Sequence, residues 1–491
     1  MNFALVSKLL SVVLLILGIA FALCIGVSFI MEDAIVGAAS RFAFITSIGI
    51  SLALALVLFL IGRNSSQKFF KKEALCTIGL SWLLTSLVGA IPYMILTPHI
   101  GISGAIFESS SGLTTTGASV LSNLEELPRS LMFWRCLSQW IGGMGVVVFF
   151  VAILGFLGAN GKILYSNEAS GFTADFEESR VQSSVLHLIY VYAALSSACV
   201  ISYWLAGMDW YDSFCHMFAT LSTGGFSTRS GSLADFNSPL IEWLAIIYMA
   251  LGGVSFLLII KTSQKKFHYI PRNTEFLAYW GIMITAIIAI AINIFVEDQT
   301  DSVSHAIRAS AFQVVSIMTT TGFATEDFAV WPTLPQVTLL ALMIIGGCSG
   351  STAGGIKVAR LVVAVRICIL SIERSFRSRI VRHVKMNQRI MSDAAGNDIM
   401  VYLVLITLLC LVSIPMASVF EPTLKLDTNL SAVLACLFNI GPGLAEVGPT
   451  QNFAFFHPYT KLFLSLLMIM GRLELYAILV LFIPSVWKRF D

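Results

Sequence analysis

The chain contains 491 residues, of which 57% are hydrophobic and only 12% are charged. Soluble globular proteins carry about 25% charged residues, so the composition excludes that class. The formal net charge of +2 at pH 7 says little by itself. The nine cysteines show neither CxxC nor metal-ligand spacing, and we interpret them as small buried hydrophobic residues rather than as a disulfide framework.

Hydrophobic segments along the chain are long enough to cross a membrane as helices, which takes about 20 residues each. Ten of them are present, at residues 9–30, 35–62, 74–96, 132–158, 184–206, 239–261, 275–296, 334–368, 398–420 and 460–486. The first is longer than the ~7–15-residue core of a signal peptide, so we expect it to be a retained membrane helix. The segments predict an all-α polytopic membrane protein.

Four shorter segments of half-span length lie between these spans, and each ends in a glycine element. The elements read Thr115-Thr116-Gly117, Ser222-Thr223-Gly224, Thr320-Thr321-Gly322 and Asn439-Ile440-Gly441. They recur at nearly even intervals, which is typical of an internal repeat. Phe107, Phe214 and Phe312 each lie ten residues before their glycine, whereas the last copy has Ser431 there.

The repeats predict a domain plan of two leading helices followed by four helix–pore loop–helix units. The leading helices fill residues 1–65. The repeats occupy residues 66–165, 166–266, 267–389 and 390–491, with glycine-containing filter segments at 114–119, 221–227, 319–325 and 439–444. We expect the four units to surround one central pore with pseudo-symmetry.

The glycine elements have a physical use inside a membrane. Non-helical backbone at that depth is tolerated only where protein buries it or water lines it. Glycine permits positive φ, and four such loops on one axis can form a ring of carbonyls that replaces the hydration shell of a cation. The preceding segments can be short helices whose negative C-terminal ends favour a cation. They are Ile102–Thr114, Tyr211–Leu221, Val303–Thr319 and Leu430–Phe438.

Close helix packing would explain any single Thr-Thr-Thr-Gly run equally well. Four copies in phase, each between two spans, favour ion conduction instead. Glycines at Gly142-Gly143-Met144-Gly145 and Gly252-Gly253 are interpreted as bending or packing positions.

Basic residues mark one side of the membrane. They cluster at the joints between units, as Arg63, Lys68, Lys71, Lys72, Lys162, Arg180, Lys261, Lys265, Lys266 and Arg272, and again between Arg366 and Arg389. Both ends are basic as well, with Lys8 and Lys488-Arg489. The positive-inside rule therefore predicts cytoplasmic termini and joints, with all four pore loops entering from outside.

A second break interrupts the eighth hydrophobic segment. Its glycine-rich sequence spans residues 346–355, and we predict a mobile intramembrane gate built from Gly346, Gly347, Ser349, Gly350, Gly354 and Gly355. Five glycines in ten residues disfavour a stable helix, because each costs about 1 kcal/mol relative to alanine. A simple kink is the alternative interpretation.

Arg472 stands in the middle of the last span. A charge there costs at least about 2.5–3.5 kcal/mol and usually faces a pore or a partner. We assign it to the gate as a fixed positive charge near the pore. A structural ion pair with Glu474, or with an acid on another helix, is the alternative.

The basic stretch from Arg366 to Arg389 is expected to be mostly a helical extension that docks a soluble regulatory subunit. Positive-inside bias alone would also explain its sign. Neither interleaved aromatic residues nor a separate domain accompanies the charge, so no nucleic-acid partner is expected.

These motifs resemble the four filter segments of the Trk/Ktr/HKT superfamily of potassium transporters, most closely its bacterial TrkH/TrkG branch. The resemblance covers essentially the whole chain and rests on residues 114–119, 221–227, 319–325 and 439–444. It implies that K⁺ is the transported ion, held by main-chain carbonyls of the residues before each glycine. Those residues are Thr115, Thr116, Ser222, Thr223, Thr320, Thr321, Asn439 and Ile440, with Gly117, Gly224, Gly322 and Gly441 shaping the turns.

The resemblance further implies a homodimer in the lipid bilayer of the bacterial inner membrane, and it matches residues 346–355 and Arg472 to the family's gate. It also implies a cytosolic TrkA-like regulatory subunit that binds NAD or ATP. No organic cofactor is expected in this chain, because it has no GxGxxG between a strand and a helix. The sequence is compatible both with entry of potassium alone and with symport of potassium with H⁺ or Na⁺.

Two other classes of function were weighed against K⁺ uptake. A repeat-built secondary transporter of another solute would need charged or aromatic substrate groups at the midplane, where only Arg472 qualifies. An intramembrane enzyme would need clustered Asp, Glu or His within the spans, which the sequence lacks. A Na⁺-permeable member of the same superfamily is the nearer alternative, because the fourth segment departs from the threonine-rich type.

Overall fold

The computed structural model describes residues 1–65, 71–145, 181–264, 267–299, 302–377, 382–387 and 389–487. Several basic residues of the predicted joints lie outside these ranges: Lys68, Lys162, Arg180, Lys265, Lys266, Arg379, Lys488 and Arg489. The predicted boundary between the first and second repeats also falls outside them.

Helices account for nearly all regular structure in the described ranges. The leading segment and the first two repeats contain α1 (Phe3–Met31), α2 (Ala34–Gly62), α3 (Lys71–Gly89), α4 (Ile91–Leu96), α5 (Gly101–Leu113), α6 (Arg129–Met144), α7 (Val181–Leu205), α8 (Trp210–Leu221), α9 (Pro239–Gly252) and α10 (Phe256–Ser263). The rest contains α11 (Thr274–Val296), α12 (Val303–Met318), α13 (Thr333–Ile345), α14 (Val358–Phe376), α15 (Asp393–Phe420), α16 (Leu426–Leu437), α17 (Pro458–Arg472), α18 (Tyr476–Leu479) and α19 (Pro484–Trp487). The all-α polytopic fold is confirmed.

The described helices account for the ten predicted spans in three ways. Six are continuous apolar helices long enough to cross a membrane: Phe3–Met31, Ala34–Gly62, Lys72–Leu96, Leu186–Leu205, Thr274–Val296 and Asp393–Phe420. Two further spans are bent pairs, α9 with α10 at 98° and α17 with α18 at 116°. The span predicted at 334–368 is split into α13 and α14, and the span at 132–158 is described only as far as residue 145.

The two leading helices pack against each other through small residues. A Cβ atom on Gly62 would lie 2.7 Å from the carbonyl oxygen of Ala4 and from the backbone nitrogen of Lys8. The Ser51 hydroxyl donates to the carbonyl of Leu14 over 2.8 Å. Such close approach is the usual way for helices to associate in lipid, where no hydrophobic difference drives them together.

The four half-span segments are short helices, as predicted, and we call α5, α8, α12 and α16 the pore helices. Two of them begin at side-chain caps: Asp209 accepts from the amide of Asp212, and Ser302 accepts from that of His305. The fourth pore helix begins at Leu426, four residues earlier than predicted. Their C-terminal residues are buried, so these ends lie inside the protein.

The basic stretch between Arg366 and Arg389 is helical only in its first part. Helix α14 ends at Phe376, and a two-stranded antiparallel hairpin follows, in which β1 (Lys385–Met386) pairs with β2 (Arg389–Ile390). The prediction of a mostly helical extension is therefore wrong for its C-terminal part. The Arg366 guanidinium donates to the Lys385 carbonyl, so the hairpin folds back onto the helix.

Candidate ion pathway

Each pore helix ends in the same backbone motif. The residue after the helix cap has positive φ without being glycine: Thr115 (54°), Thr223 (53°), Thr320 (57°) and Asn439 (57°). Around each, two amides bond back to the last helical turn, as when Thr115 N donates to Gly112 O over 3.0 Å and Thr116 N donates to Ser111 O over 2.9 Å. This is a Schellman cap, in which glycine normally occupies the left-handed position.

The same pair of amide bonds recurs in the other three repeats. They are Thr223 N to Thr220 O (3.1 Å) and Gly224 N to Ala219 O (2.8 Å); Thr320 N to Ile317 O (3.0 Å) and Thr321 N to Ser316 O (2.8 Å); and Asn439 N to Cys436 O (3.4 Å) and Ile440 N to Ala435 O (2.9 Å). A residue other than glycine held at positive φ stores strain, and such strain clusters at functional sites. Four identical strained caps therefore mark the candidate site.

These caps define the structural register of the repeats, and they correct the sequence alignment in the second one. Two residues after each strained residue comes a glycine with positive φ: Gly117 (84°), Gly225 (75°), Gly322 (82°) and Gly441 (98°). Gly225, and not Gly224, is thus the counterpart of Gly117. The alignment of Ser222-Thr223-Gly224 with Thr115-Thr116-Gly117 was wrong by one residue, because the second repeat contains two adjacent glycines.

The shift also removes Phe214 from the set of equivalent aromatic residues. Phe107 and Phe312 are fully buried, whereas Phe214 is 42% exposed. In the corrected register its place is taken by Cys215, which is buried. The spacing of ten residues between phenylalanine and glycine is therefore a coincidence in the second repeat.

The four filter segments contact one another in a closed cycle. A Cβ atom on Gly117 would collide with the Gly224 carbonyl of the second repeat, and one on Gly225 with the Thr321 carbonyl of the third. A Cβ on Gly322 would likewise collide with the Ile440 carbonyl of the fourth repeat.

The fourth segment closes this cycle. A Cβ on Gly441 would lie 2.7 Å from the Thr116 carbonyl oxygen of the first repeat. Each segment thus touches the next, and the last touches the first. Glycine is required at these positions both by its backbone angle and by the space its neighbour occupies.

Carbonyl oxygens in this ring are left available by the described parts of the chain. No hydrogen bond from a described residue reaches the main-chain oxygen of Thr115, Thr223, Thr320 or Asn439. Buried carbonyls normally have partners. Threonine side chains bond within the segments instead, through the 2.7 Å pair Thr114–Thr116 and the 2.8 Å pair Thr319–Thr321.

Asn439 links the fourth segment to its neighbours, since its amide donates to the Thr116 hydroxyl and to the Met468 carbonyl, each over 2.9 Å. This bond takes the place of the intra-segment threonine pair found in the first and third repeats. The fourth segment therefore departs from the threonine-rich pattern but is still held by a side-chain hydrogen bond.

Polar residues nine positions before the filter glycines tie the first three pore helices to their outgoing segments, a role that the sequence did not suggest; the fourth has Ala432 there. Glu108 accepts from Ser119 Oγ (3.0 Å) and from Val120 N (3.0 Å). His216, the counterpart of Glu108 in the corrected register, lies 2.9 Å from the Ser227 hydroxyl. Gln313 in the third repeat donates to the Glu326 carbonyl over 3.2 Å.

An ion pair joins the first two of these segments. Arg135 on α6 bonds Glu108 at 2.6 Å and donates to the Ser227 carbonyl at 2.9 Å, while its guanidinium lies 3.7 Å from the Phe226 ring centre. Both charged side chains are buried. Because removing one partner of a buried pair costs about 3–5 kcal/mol, this pair fixes the relative position of two filter segments.

The helices that follow the pore loops carry glycines at equivalent positions, which we call the breaks: α9, α13 and α17 end there, whereas α6 continues to Met144. Their sequences are Gln139-Trp140-Ile141-Gly142-Gly143, Met249-Ala250-Leu251-Gly252-Gly253, Met343-Ile344-Ile345-Gly346-Gly347 and Met468-Ile469-Met470-Gly471-Arg472. The first glycine of three breaks packs on the last carbonyl of its own pore helix, at Leu113, Leu221 and Leu437. The interpretation of Gly142-Gly143 and Gly252-Gly253 as packing positions agrees with this geometry.

The glycine-rich loop lies directly against the filter segments. Gly354 N donates to the Thr320 hydroxyl over 2.6 Å, and Gly355 N donates to the Phe438 carbonyl over 3.2 Å. The Thr352 hydroxyl donates to the Leu221 carbonyl over 2.9 Å. One loop therefore contacts the inner ends of the second, third and fourth pore helices.

Other loop residues hold its shape and its attachment to the second repeat. Gly346, Gly350 and Gly355 have positive φ, at 74°, 71° and 77°. Gly347 O accepts from Val358 N over 3.0 Å, and the Gly350 carbonyl accepts from Phe256 N over 3.0 Å. The loop is thus an ordered element rather than a simple kink.

Glu275 anchors this loop, although the sequence analysis did not single it out. Its Oε1 accepts from Ser349 N over 2.5 Å and from Ala359 N over 3.2 Å, so one buried carboxylate holds both the loop and the start of α14. Lys357 lies between these points with φ of 84°, and its ammonium group donates to the Ala353 carbonyl. The sequence feature that could have pointed to Glu275 is an acidic residue at the start of a hydrophobic span.

Arg472 stands where the other three breaks have their second glycine. Its guanidinium donates to the Thr352 carbonyl over 2.7 Å and to the Gly142 carbonyl over 3.2 Å. Arg472 thereby bridges the glycine-rich loop of the third repeat and the break of the first. Glu474 pairs with Arg360 on α14.

Comparison with known proteins places this geometry in a family. Residues 40–489 match the family model described as TrkH, cation transport protein. The chain belongs to the TrkH family. This is a family of membrane transporters and not of enzymes, so the expectation of a transporter rather than an intramembrane enzyme is confirmed.

Several relatives match the TrkH-family chain over most of their length. It is 33% identical over 450 residues to the Trk system potassium uptake protein TrkH of Escherichia coli (strain K12), covering 91% of this chain and 92% of that one. It is 32% identical over 429 residues to the Trk system potassium uptake protein TrkG of the same organism, covering 87% of each.

A solved structure shows the same fold as this TrkH-family chain. The crystal structure of the potassium transporter TrkH from Vibrio parahaemolyticus aligns with a TM-score of 0.88 and 29% identity, covering 99% of this chain and 100% of that one. The predicted resemblance to the Trk/Ktr/HKT superfamily, and to its TrkH/TrkG branch, is confirmed.

Proposed function

We propose that this protein takes up K⁺ across the bacterial inner membrane through a channel-like pore. One observation carries the proposal: the four glycine segments meet in a closed cycle in which each filter glycine touches a carbonyl of the next segment. Main-chain oxygens arranged around a common axis can replace the water shell of an alkali cation. The names of the relatives, potassium uptake proteins, support K⁺ as that cation.

In this proposal the ion is bound by carbonyls at the inner ends of the pore helices. We assign the ion ligands to the main-chain carbonyls of eight residues and the turns to four glycines. The ligands are Thr115, Thr116, Thr223, Gly224, Thr320, Thr321, Asn439 and Ile440, and the turns are at Gly117, Gly225, Gly322 and Gly441. In this register Ser222, which the sequence analysis assigned as an ion ligand, lies one position too early, and Gly224 takes its place in the set. Four helix C-termini converge there, and each favours a nearby cation by about 0.3–1 kcal/mol.

Below the filter, the glycine-rich loop and Arg472 would act as the gate. The loop contacts three pore-helix ends, and Arg472 ties it to the first repeat. The neutral bonds of the loop to the pore-helix ends are individually modest, about 0.5–1.5 kcal/mol each, so a regulator can exchange them for others. Gly346, Gly347, Ser349, Gly350, Gly354 and Gly355 supply the backbone that moves.

We further propose that the protein is a homodimer with cytoplasmic termini and that a cytosolic TrkA-like subunit, which binds NAD or ATP, controls the gate. The basic end of α14 and the hairpin of Lys385–Ile390 supply a charged surface for that subunit. Down its electrochemical gradient K⁺ would then enter alone or with a coupled ion.

Growth and flux measurements test this function. Expression in a bacterium that lacks its K⁺-uptake systems should restore growth at low K⁺, more strongly together with a TrkA-like subunit. The purified chain in liposomes should pass K⁺ better than Na⁺. Equal passage of both ions would favour the Na⁺-permeable alternative, and passage of neither under any condition would refute the proposal.

A further inference from the structure

The second filter segment has no side chain at one position where the other three segments each have one. In the structural register Gly224 occupies the position of Thr116, Thr321 and Ile440. Its φ is not positive, so a side chain would be compatible with its backbone. The three other segments fill this position with a buried side chain. Something else must fill the corresponding space in the second repeat, because protein interiors are close-packed.

Gln139 on α6 of the first repeat fills that space. A Cβ atom on Gly224 would lie 2.7 Å from Gln139 Oε1 and 2.8 Å from its Nε2. The amide therefore stands where the missing side chain would begin. Gln139 is fully buried, so its amide must find partners inside the protein.

The partners are both on the second filter segment. Gln139 Nε2 donates to the Gly224 carbonyl over 2.5 Å, and Phe226 N donates to Gln139 Oε1 over 3.0 Å. These two bonds span Gly225, the residue with φ of 75°. They hold the flexible Gly-Gly pair in the conformation that the other repeats reach with bulkier residues.

The residues that the other three repeats have at the position of Gln139 agree with this pairing of Gln139 and Gly224. At the position of Gln139, three residues before the glycine of each break, they have Met249, Met343 and Met468. All three are fully buried and cannot donate an amide hydrogen bond. Glutamine occurs in the repeat whose neighbouring segment lacks a side chain, and methionine occurs elsewhere.

We propose that Gln139 is a positioning residue for ion selectivity, which acts in place of the missing side chain of the second filter segment. The inference rests on the proposed K⁺ pathway. By fixing Gly225 and by occupying one lone pair of the Gly224 carbonyl, Gln139 keeps that segment from closing around the smaller Na⁺ ion. Selectivity depends on the number and field strength of such carbonyls.

The test compares K⁺ and Na⁺ flux in liposomes for Gln139→Ala, Gly224→Ala and the double variant, with Ser138→Ala as a matched control. Ser138 is the buried neighbour on the same helix, and its hydroxyl donates within that helix to Arg135 O over 2.7 Å. Losing these two buried bonds should lower the K⁺/Na⁺ ratio of Gln139→Ala about threefold to tenfold. The control should keep the wild-type ratio.

The double variant distinguishes a positioning role from a merely structural one. Gly224→Ala alone should lower flux, because its Cβ meets the Gln139 amide. Removing that amide in the double variant should restore part of the flux. A wild-type ratio in Gln139→Ala, or a double variant worse than both single ones, would overturn the inference.

Two further arms keep the result interpretable. Gln139→Glu preserves the size of the side chain and the acceptor for Phe226 N, but it sets an oxygen against the Gly224 carbonyl, so it should also lower the K⁺/Na⁺ ratio. It replaces Gln139→Ala as the test variant if that protein fails to fold. Wild-type protein that passes no K⁺ would refute the proposed function itself. Wild-type protein that selects K⁺, with every variant unchanged, would refute only the role of Gln139.

Discussion

In the proposed pathway the filter segments form the outer half and the breaks with the glycine-rich loop form the inner half. These two halves use the same four repeats in opposite ways. In the outer half, four caps share one hydrogen-bond pattern, and four glycines share one backbone angle. In the inner half, four breaks begin alike, but the third continues into the glycine-rich loop and the fourth has Arg472 in place of glycine. Near-symmetry is kept at the filter segments and is lost at the breaks.

In the proposed function this difference follows from what each half would have to do. A ring of ion ligands needs equivalent oxygens at equal distances, so each repeat must contribute the same backbone. A gate needs an element with two arrangements, and one loop that crosses to its neighbours can move where four identical ones would obstruct each other. Arg472 accordingly has no counterpart at the breaks of the first two repeats, which have Gly143 and Gly253 there.

The largest expected effect comes from breaking the equivalence of the outer half. Gly225→Ala forces a side chain into positive φ, which costs about 1–3 kcal/mol. It also drives a Cβ atom into the Thr321 carbonyl, and overpacking of this kind costs about 1–3 kcal/mol more. We expect K⁺ flux in liposomes to fall at least about tenfold, since each 1.4 kcal/mol is a factor of ten.

Gly49→Ala is the matched control for this variant, because a Cβ on Gly49 meets nothing within 4 Å. Its flux should equal that of the wild type. Normal flux in Gly225→Ala, with the protein eluting as a single folded species, would show that Gly225 is not part of the filter.

A smaller effect is expected when the inner half is made more symmetric. Arg472→Gly restores the glycine found at Gly143, Gly253 and Gly347, and it removes two charge-assisted bonds worth about 1.5–3 kcal/mol each. We expect basal flux without a regulatory subunit to rise about tenfold or more. Arg472→Lys keeps the charge but not the planar fork, so it should fall between the two. Unchanged flux in Arg472→Gly would demote the residue to a packing role.

Releasing the other anchor should have the smallest of the three effects. Glu275→Ala removes the acceptor for Ser349 N and Ala359 N, so the loop loses its attachment to α11. We expect a basal flux severalfold to about tenfold above that of the wild type, from the loss of about one charge-assisted bond.

Glu275→Gln is the control for that variant, because it keeps an oxygen that can accept both amides. Its flux should stay close to that of the wild type. Equal flux in all three proteins would mean that the carboxylate stabilises the helix start without restraining the loop.

Much of this molecule could be predicted from local sequence. Hydrophobic length determined the spans, because a chain in lipid must satisfy its backbone within helices. The glycine elements and the half-span segments before them indicated the pore helices, and the glycine-rich run at 346–355 indicated a break. The strained position of Thr115 and its counterparts is also local, since a helix that ends in a Schellman cap needs a left-handed residue there.

The tertiary structure decided what depends on neighbours in space. The sequence alone could not choose between Gly224 and Gly225, because two adjacent glycines fit the motif equally well and only the bonds of Thr223 and Gly224 to the pore helix fix the register. Gln139 lies far from Gly224 along the chain, and Glu275 lies far from Ser349. Such pairs become visible only when packing brings buried polar groups together, because each must then find a partner inside the protein.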